Sequence, residues 1–193
     1  MIELDKSLFL FLNSFNSPFW DSVMWIVSAR LTWVPLYLAI IIMLGYKERK
    51  KLLVILPFLI LTVVLTDQVT LHCFKNIFER FRPCYEPSLD GLVHIVNGKC
   101  GGKFGFVSSH ASNTFGIATM SLLLMRHNWF SVLILLWASF VSYSRIYLGV
   151  HYPGDILGGA LLGIFSGYLM YRIYRFVENN YLNTSDFFKK EGL

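Results

Sequence analysis

The stretch that decides the fold is LLVILPFLILTVVLTDQVTL, residues 52–71. Its twenty residues carry a single charge, Asp67. A helix of that length covers about 30 Å, the hydrocarbon thickness of a bilayer. Four more apolar stretches lie around it, at 31–46, 106–125, 129–144 and 156–171. Three of the five are only 16 residues long, and a crossing helix needs roughly 17 to 25, so these are expected to run on into their flanks. The expected fold is all-α: an integral membrane bundle of five transmembrane helices, six if the N-terminal segment 1–18 also crosses. Leu4 to Phe15 is apolar on one face and reads as an interfacial helix, the alternative being a helix that packs on the bundle.

The composition agrees. The chain has 193 residues, enough for one domain, 1–193. It is 55% hydrophobic and 15% charged, with a mean hydropathy of +0.53, whereas a soluble chain carries about 25% charged residues. A soluble globule, a disordered tail and a nucleic-acid binder are excluded. The net charge of +5 suits a membrane surface or an anionic substrate. Glu3, Asp5 and Lys6 do not form the basic start of a signal peptide.

Five crossings put the termini on opposite sides. The side holding the N-terminus carries eight Lys and Arg over 75 residues; the other carries nine over 30. Basic density therefore makes the second side cytoplasmic, with the loop 47–51 and a tail, 176–193, that includes Lys189 and Lys190. The first side is then external, the periplasm for a bacterial inner-membrane protein. Cys84 and Cys100 fall there, where an oxidising compartment lets them bridge; Cys73, at the end of a span, reads as a buried thiol. Glycines 154, 158, 159, 163 and 167 line the last span at spacings that let helices approach closely.

Three polar clusters map to the external side and form a motif core, 75–155. The first runs from Lys75 to Arg82-Pro83. Seven residues are two helical turns, so both cations would share a face and converge on an anion; Arg80 and Glu79 would lie on the surface. The second is Val107-Ser108-Ser109-His110, at a helix start whose N–H groups and hydroxyls suit an anion, with His110 as a general acid. The third is Ser144-Arg145 through His151 to Asp155. Pro153 fits a helix N1 position and brings Asp155 into the first turn. A carboxylate there can hold the His151 Nδ1–H and leave Nε2 free as a nucleophile. His151, Asp155 and His110 could instead ligate a metal, but Lys75, Arg82 and Arg145 would repel a divalent cation. No metal or cofactor is expected.

These residues resemble the type 2 phosphatidic acid phosphatases, the PAP2 family, whose signature is K-x6-R-P, P-S-G-H and S-R-x5-H-x3-D. Lys75 to Pro83 and Ser144 to Asp155 match the first and third parts without change. In the second, Ser108 and His110 agree, while Val107 replaces Pro and Ser109 replaces Gly. The resemblance implies a metal-independent lipid phosphatase. In it His151 attacks phosphorus, Asp155 orients His151, and His110 protonates the leaving group and then activates water. Lys75, Arg82, Ser108, Ser109 and Arg145 would bind the phosphate. Implied substrates are undecaprenyl diphosphate, lipid A phosphate, phosphatidylglycerol phosphate and phosphatidic acid. The loop 84–106 and the Ser-Ser-His variant resemble those of family members from Bacteroidetes, some of which act on lipid A phosphate. Transfer of the phosphoryl group to a lipid alcohol, and a non-enzymatic lipid- or anion-binding protein, are the alternatives. The partners expected are the bilayer and its lipid phosphate; nothing in the sequence speaks to oligomeric state.

Overall fold

Chemistry at the helix ends divides the apolar sequence into separate rods. The computed structural model describes residues 2–182. Among the described residues eight α-helices follow one another: α1 Ile2–Asn13, α2 Pro18–Ser28, α3 Val34–Glu48, α4 Leu52–Val69, the single turn α5 Asn76–Phe78, α6 Ser109–Met125, α7 Asn128–Tyr147 and α8 Pro153–Val177. Ser17 accepts from the Trp20 N–H and starts α2. Ser108 does the same for α6 through the Ala111 N–H. Pro153 occupies the first position of α8. Arg49 and Arg126, both with positive φ, end α3 and α6.

Three stretches of the described residues are long and apolar enough to cross a membrane: Arg30–Phe78, Asn128–Tyr147 and Pro153–Tyr181. The first contains two rods, α3 and α4, which part at Arg49 and feed one core through Ile40, Leu44 and Ile55. α7 and α8 do run into their flanks, to 20 and 25 residues. α6 has 17 residues and a polar first turn, and ten of its residues are buried. A helix surrounded by other helices needs less apolar surface than one facing lipid, which explains its mixed sequence.

α6 is the axis, and α8 lies against it almost backbone to backbone. A Cβ on Gly163 would stand 2.3 Å from the Ser112 carbonyl oxygen, and one on Gly167 2.4 Å from that of Gly116. The glycine stripe is thus spent on packing inside the bundle. At the far end Lys47 donates to the Leu124 (2.8 Å) and Met125 carbonyls that close α6. There Lys51 meets the buried Glu178 at 2.7 Å, with Arg175 on the other carboxylate oxygen. Glu178 sits in a π-helical turn, Glu178–Leu182, that prolongs α8. The first residues of the expected tail are therefore helical; Lys189 and Lys190 lie outside the described residues.

α1 packs on the bundle rather than standing apart. Phe9 is fully buried with Leu89, Ile146 and Tyr152. Asn13 donates to the carbonyls of His94, Ile146 and Tyr147. Its other face, with Leu4, Leu8 and Phe11, is exposed and apolar, as an interfacial position would require. One expectation fails. Cys73 is exposed, because the π-helical turn Thr70–Lys75 widens the helix there and carries its thiol outward. Trp137 lies in the core, edge-on to Trp33 and Tyr37.

Gly163→Ala is expected to lower the thermal unfolding midpoint in detergent. Overpacking costs about 1–3 kcal/mol, and each kcal/mol moves a domain of this size by roughly 2–4 °C. Gly102→Ala, whose Cβ would meet nothing within 4 Å, is expected to leave the midpoint in place.

Candidate active site

The α6–α8 contact brings two helix starts level. The Ser108 N–H donates to the Asp155 carbonyl at 3.0 Å. On α8, Asp155 Oδ2 accepts the Tyr152 N–H at 3.0 Å and lies 3.2 Å from His151 Nδ1. His151 is 2% exposed and Asp155 0%, so the pair is buried. The network gives Nδ1 the proton, which leaves the Nε2 lone pair toward Arg82 Nη1 at 2.8 Å. Burial, then the charges of Arg82 and Arg145, hold the His151 imidazole well below its ordinary pKa. It is neutral at pH 7, the state a nucleophile needs.

Lys75 and Arg82 do not share a helical face. The helix ends at Phe78, and Glu79 adopts the left-handed conformation, φ 43°. Arg82 therefore comes from the loop, fixed by its Nε on the Gly102 carbonyl (2.6 Å) and its N–H on that of Lys103 (3.1 Å). Burial lowers the Arg82 pKa from the usual guanidinium value. The loop it belongs to is closed by a disulfide between Cys84 and Cys100, with Cα atoms 6.2 Å apart. Lys75 Nζ donates to Ser109 Oγ at 2.9 Å, so the serine that stands in place of glycine gives the lysine a partner.

Arg145 leaves α7 to donate to Ser28 Oγ at the end of α2, and its Nε is buried with no partner among the described residues. The His110 ring bonds the Ser28 backbone and lines a cavity of about 220 Å³ with Ser109, Arg30 and Asp67. Lys75, Arg82, Arg145, Ser108, Ser109, His110, His151 and Asp155 thus form one contiguous cluster. Its cations outnumber its anions, and one buried guanidinium N–H is left unspent, so the arrangement can hold a tetrahedral anion beside a neutral imidazole.

Three participants had no clear sequence signal. Arg80, expected on the surface, donates to Asp155 Oδ1 (2.9 Å) and Asp5 Oδ2 (2.7 Å) and lies over the Tyr152 ring. The left-handed Glu79 turns it inward, while Glu79 itself is exposed. Ser28 joins Arg145 to His110. Gly105 lets the loop close on the pair, for a Cβ there would lie 3.1 Å from both Asp155 Oδ2 and Arg82 Cγ. In the external loop His94 is taken by Asp21 at 2.9 Å, and Lys99 stands over Trp25.

Comparison with known proteins places this geometry. The profile of the PAP2 superfamily matches residues 52–178. A lipid A 4'-phosphatase of Bacteroides thetaiotaomicron is 42% identical over 89% of this chain and 77% of its own. One from Porphyromonas gingivalis is 34% identical over 96% and 79%. Among solved structures, the transmembrane PAP2 type phosphatidylglycerolphosphate phosphatase of Bacillus subtilis shares the fold, with a TM-score of 0.65. It is 24% identical, over 92% of this chain and 88% of that one.

Without reductant, a maleimide is expected to modify one cysteine of the detergent-solubilised protein, Cys73, and after reduction all three. Labelling of three thiols before reduction would contradict the disulfide.

Proposed function

The chain belongs to the PAP2 superfamily, and from that premise we propose that it removes phosphate from a membrane lipid through a phosphohistidine. As a member of that family it is an integral membrane protein and a phosphoric ester hydrolase. The observation that carries the mechanism is the buried pair itself. His151 is neutral, its Nδ1–H is held by Asp155, and its Nε2 lies among cations that an anionic substrate would engage.

A phosphate entering the cluster draws Arg82 Nη1 off Nε2 and onto its own oxygen. The freed lone pair attacks phosphorus, forming the N–P bond as the P–O bond to the lipid breaks. Asp155 stabilises the imidazolium that results, and Arg80 holds Asp155 in place. His110, protonated once the phosphate's negative charge offsets that of Arg145, gives its proton to the leaving oxygen. It then takes one from the water that breaks the N–P bond and releases phosphate. Lys75, Arg82 and Arg145, with the Ser108 hydroxyl and the Ser109 N–H, hold the phosphoryl oxygens and the charge that builds on them. The three fixed cations supply the electrostatic role a divalent metal would have, so the reaction needs none.

The substrate reading is lipid A phosphate, ahead of undecaprenyl diphosphate, phosphatidylglycerol phosphate and phosphatidic acid. Two curated relatives carry the lipid A 4'-phosphatase name, and the Ser-Ser-His variant points the same way. The protein then has five crossings in the inner membrane, the site toward the periplasm and the C-terminus in the cytoplasm. The basic turn 47–51, on the end of the bundle away from the site, supports that orientation.

His151→Ala is expected to abolish phosphate release from a panel of lipid phosphates in detergent, and EDTA to leave the unaltered enzyme active. Acid quenching with labelled lipid is expected to trap label on histidine in the native protein and not in that variant. Arg80→Ala, which leaves Asp155 without its cation, is expected to lower kcat about 10- to 100-fold. Full activity of His151→Ala, or loss in EDTA, would overturn the mechanism.

A further inference from the structure

The nucleophile and the general acid stand on different sides of the cluster, and a cavity opens on the side of the acid. His151 is sealed; His110 and Ser109 border the cavity of about 220 Å³ between α2, α3, α4, α6 and α7. In-line displacement puts the leaving oxygen opposite the attacking nitrogen. The group attached to that oxygen therefore enters this cavity.

The walls of the cavity indicate what that group is. Asp67, half-buried in the long apolar stretch, reaches it, and a carboxylate at that depth is costly to keep. Asp67 Oδ1 accepts from Asn113 Nδ2 at 2.9 Å, and the Asn113 carbonyl oxygen lies 2.5 Å from Thr66 Oγ1, which fixes the amide. The second carboxylate oxygen takes no hydrogen bond within the described residues, nor does the Tyr37 hydroxyl on the same wall. Trp33 lines the cavity too, its ring held by the Val27 carbonyl at 2.7 Å. A held carboxylate with one free oxygen, a phenol and an aromatic face are the donors, acceptors and surface that a sugar ring uses. A glycerol or prenyl phosphate presents no such hydroxyl array.

We infer that this cavity is the leaving-group subsite for a glycosyl lipid, with Asp67 accepting its hydroxyls and so selecting a phosphate borne on a sugar. This rests on the hydrolase reading above and specifies its substrate class. Asp67 also acts electrostatically on Lys75, a role that would affect every lipid phosphate alike. The selecting role affects only one class.

The test compares kcat/KM for a phosphorylated glucosamine lipid with that for phosphatidic acid, in the full-length enzyme and in Asp67→Asn. The ratio of the two is expected to fall on the order of 10- to 100-fold in the variant, the value of one hydrogen bond to a charged acceptor. Tyr37→Phe is expected to lower the same ratio by less, and serves where Asp67→Asn does not fold. An unchanged ratio in both variants overturns the inference, as does an unaltered enzyme that prefers phosphatidic acid. If the unaltered enzyme releases phosphate from neither lipid, the hydrolase reading itself fails, and the inference with it.

Discussion

The structure depends on how closely α6 and α8 approach. Helices in a bilayer gain nothing from hiding apolar surface, since lipid is as apolar as leucine, so close association requires small residues. Here Gly159, Gly163 and Gly167 on α8 meet the backbone of α6 at Ser108, Ser112 and Gly116. At that distance the first turns of the two helices share a hydrogen bond, Ser108 N–H to the Asp155 carbonyl. One or two extra methyl groups would part the rods, and with them the serine-rich start of α6 from the histidine–aspartate start of α8.

Within that frame the charges are arranged unequally. Asp155 is satisfied three times, by Arg80, by the Tyr152 N–H and by His151. Among the described residues Arg145 keeps a buried N–H with no acceptor, and Lys75 donates to a serine hydroxyl. Buried charges without acceptors are costly. Among the described residues Asp155 is thus pinned, while Arg145 and Lys75 are left short of acceptors.

The sequence made the apolar rods and the three polar clusters legible, because both are patterns of residue type at fixed spacing. Spacing puts Lys75 and Arg82 on one helical face; the structure does not, because Glu79 turns left-handed and sends Arg82 into a loop. The same turn brings Arg80 inward, and no periodicity encodes it. Ser28 and Asp5 were illegible for a different reason. They come from the first two helices, more than a hundred residues from Arg145 and Asp155, and nothing local marks a polar residue as one that will meet a distant cation. The Asp5–Arg80–Asp155 chain ties α1 to the candidate site, so the N-terminal helix helps to hold Asp155 beside His151.

The external loop is tied to the chemistry in the same way. Its disulfide joins Cys84, two residues past Arg82, to Cys100, two residues before Gly102, whose carbonyl holds the Arg82 guanidinium. Phe81 and Phe104 stack across the same neck, and Gly105 N–H returns to the Arg80 carbonyl at 2.8 Å. The segment that could read a head group is thus built on the residues that set Arg80 and Arg82, and it moves only if they move. Loops usually separate specificity from a rigid catalytic scaffold. Here the two cations that serve Asp155 and His151 are themselves loop residues. A shift of the loop would therefore displace Arg82 Nη1, which lies 2.8 Å from His151 Nε2.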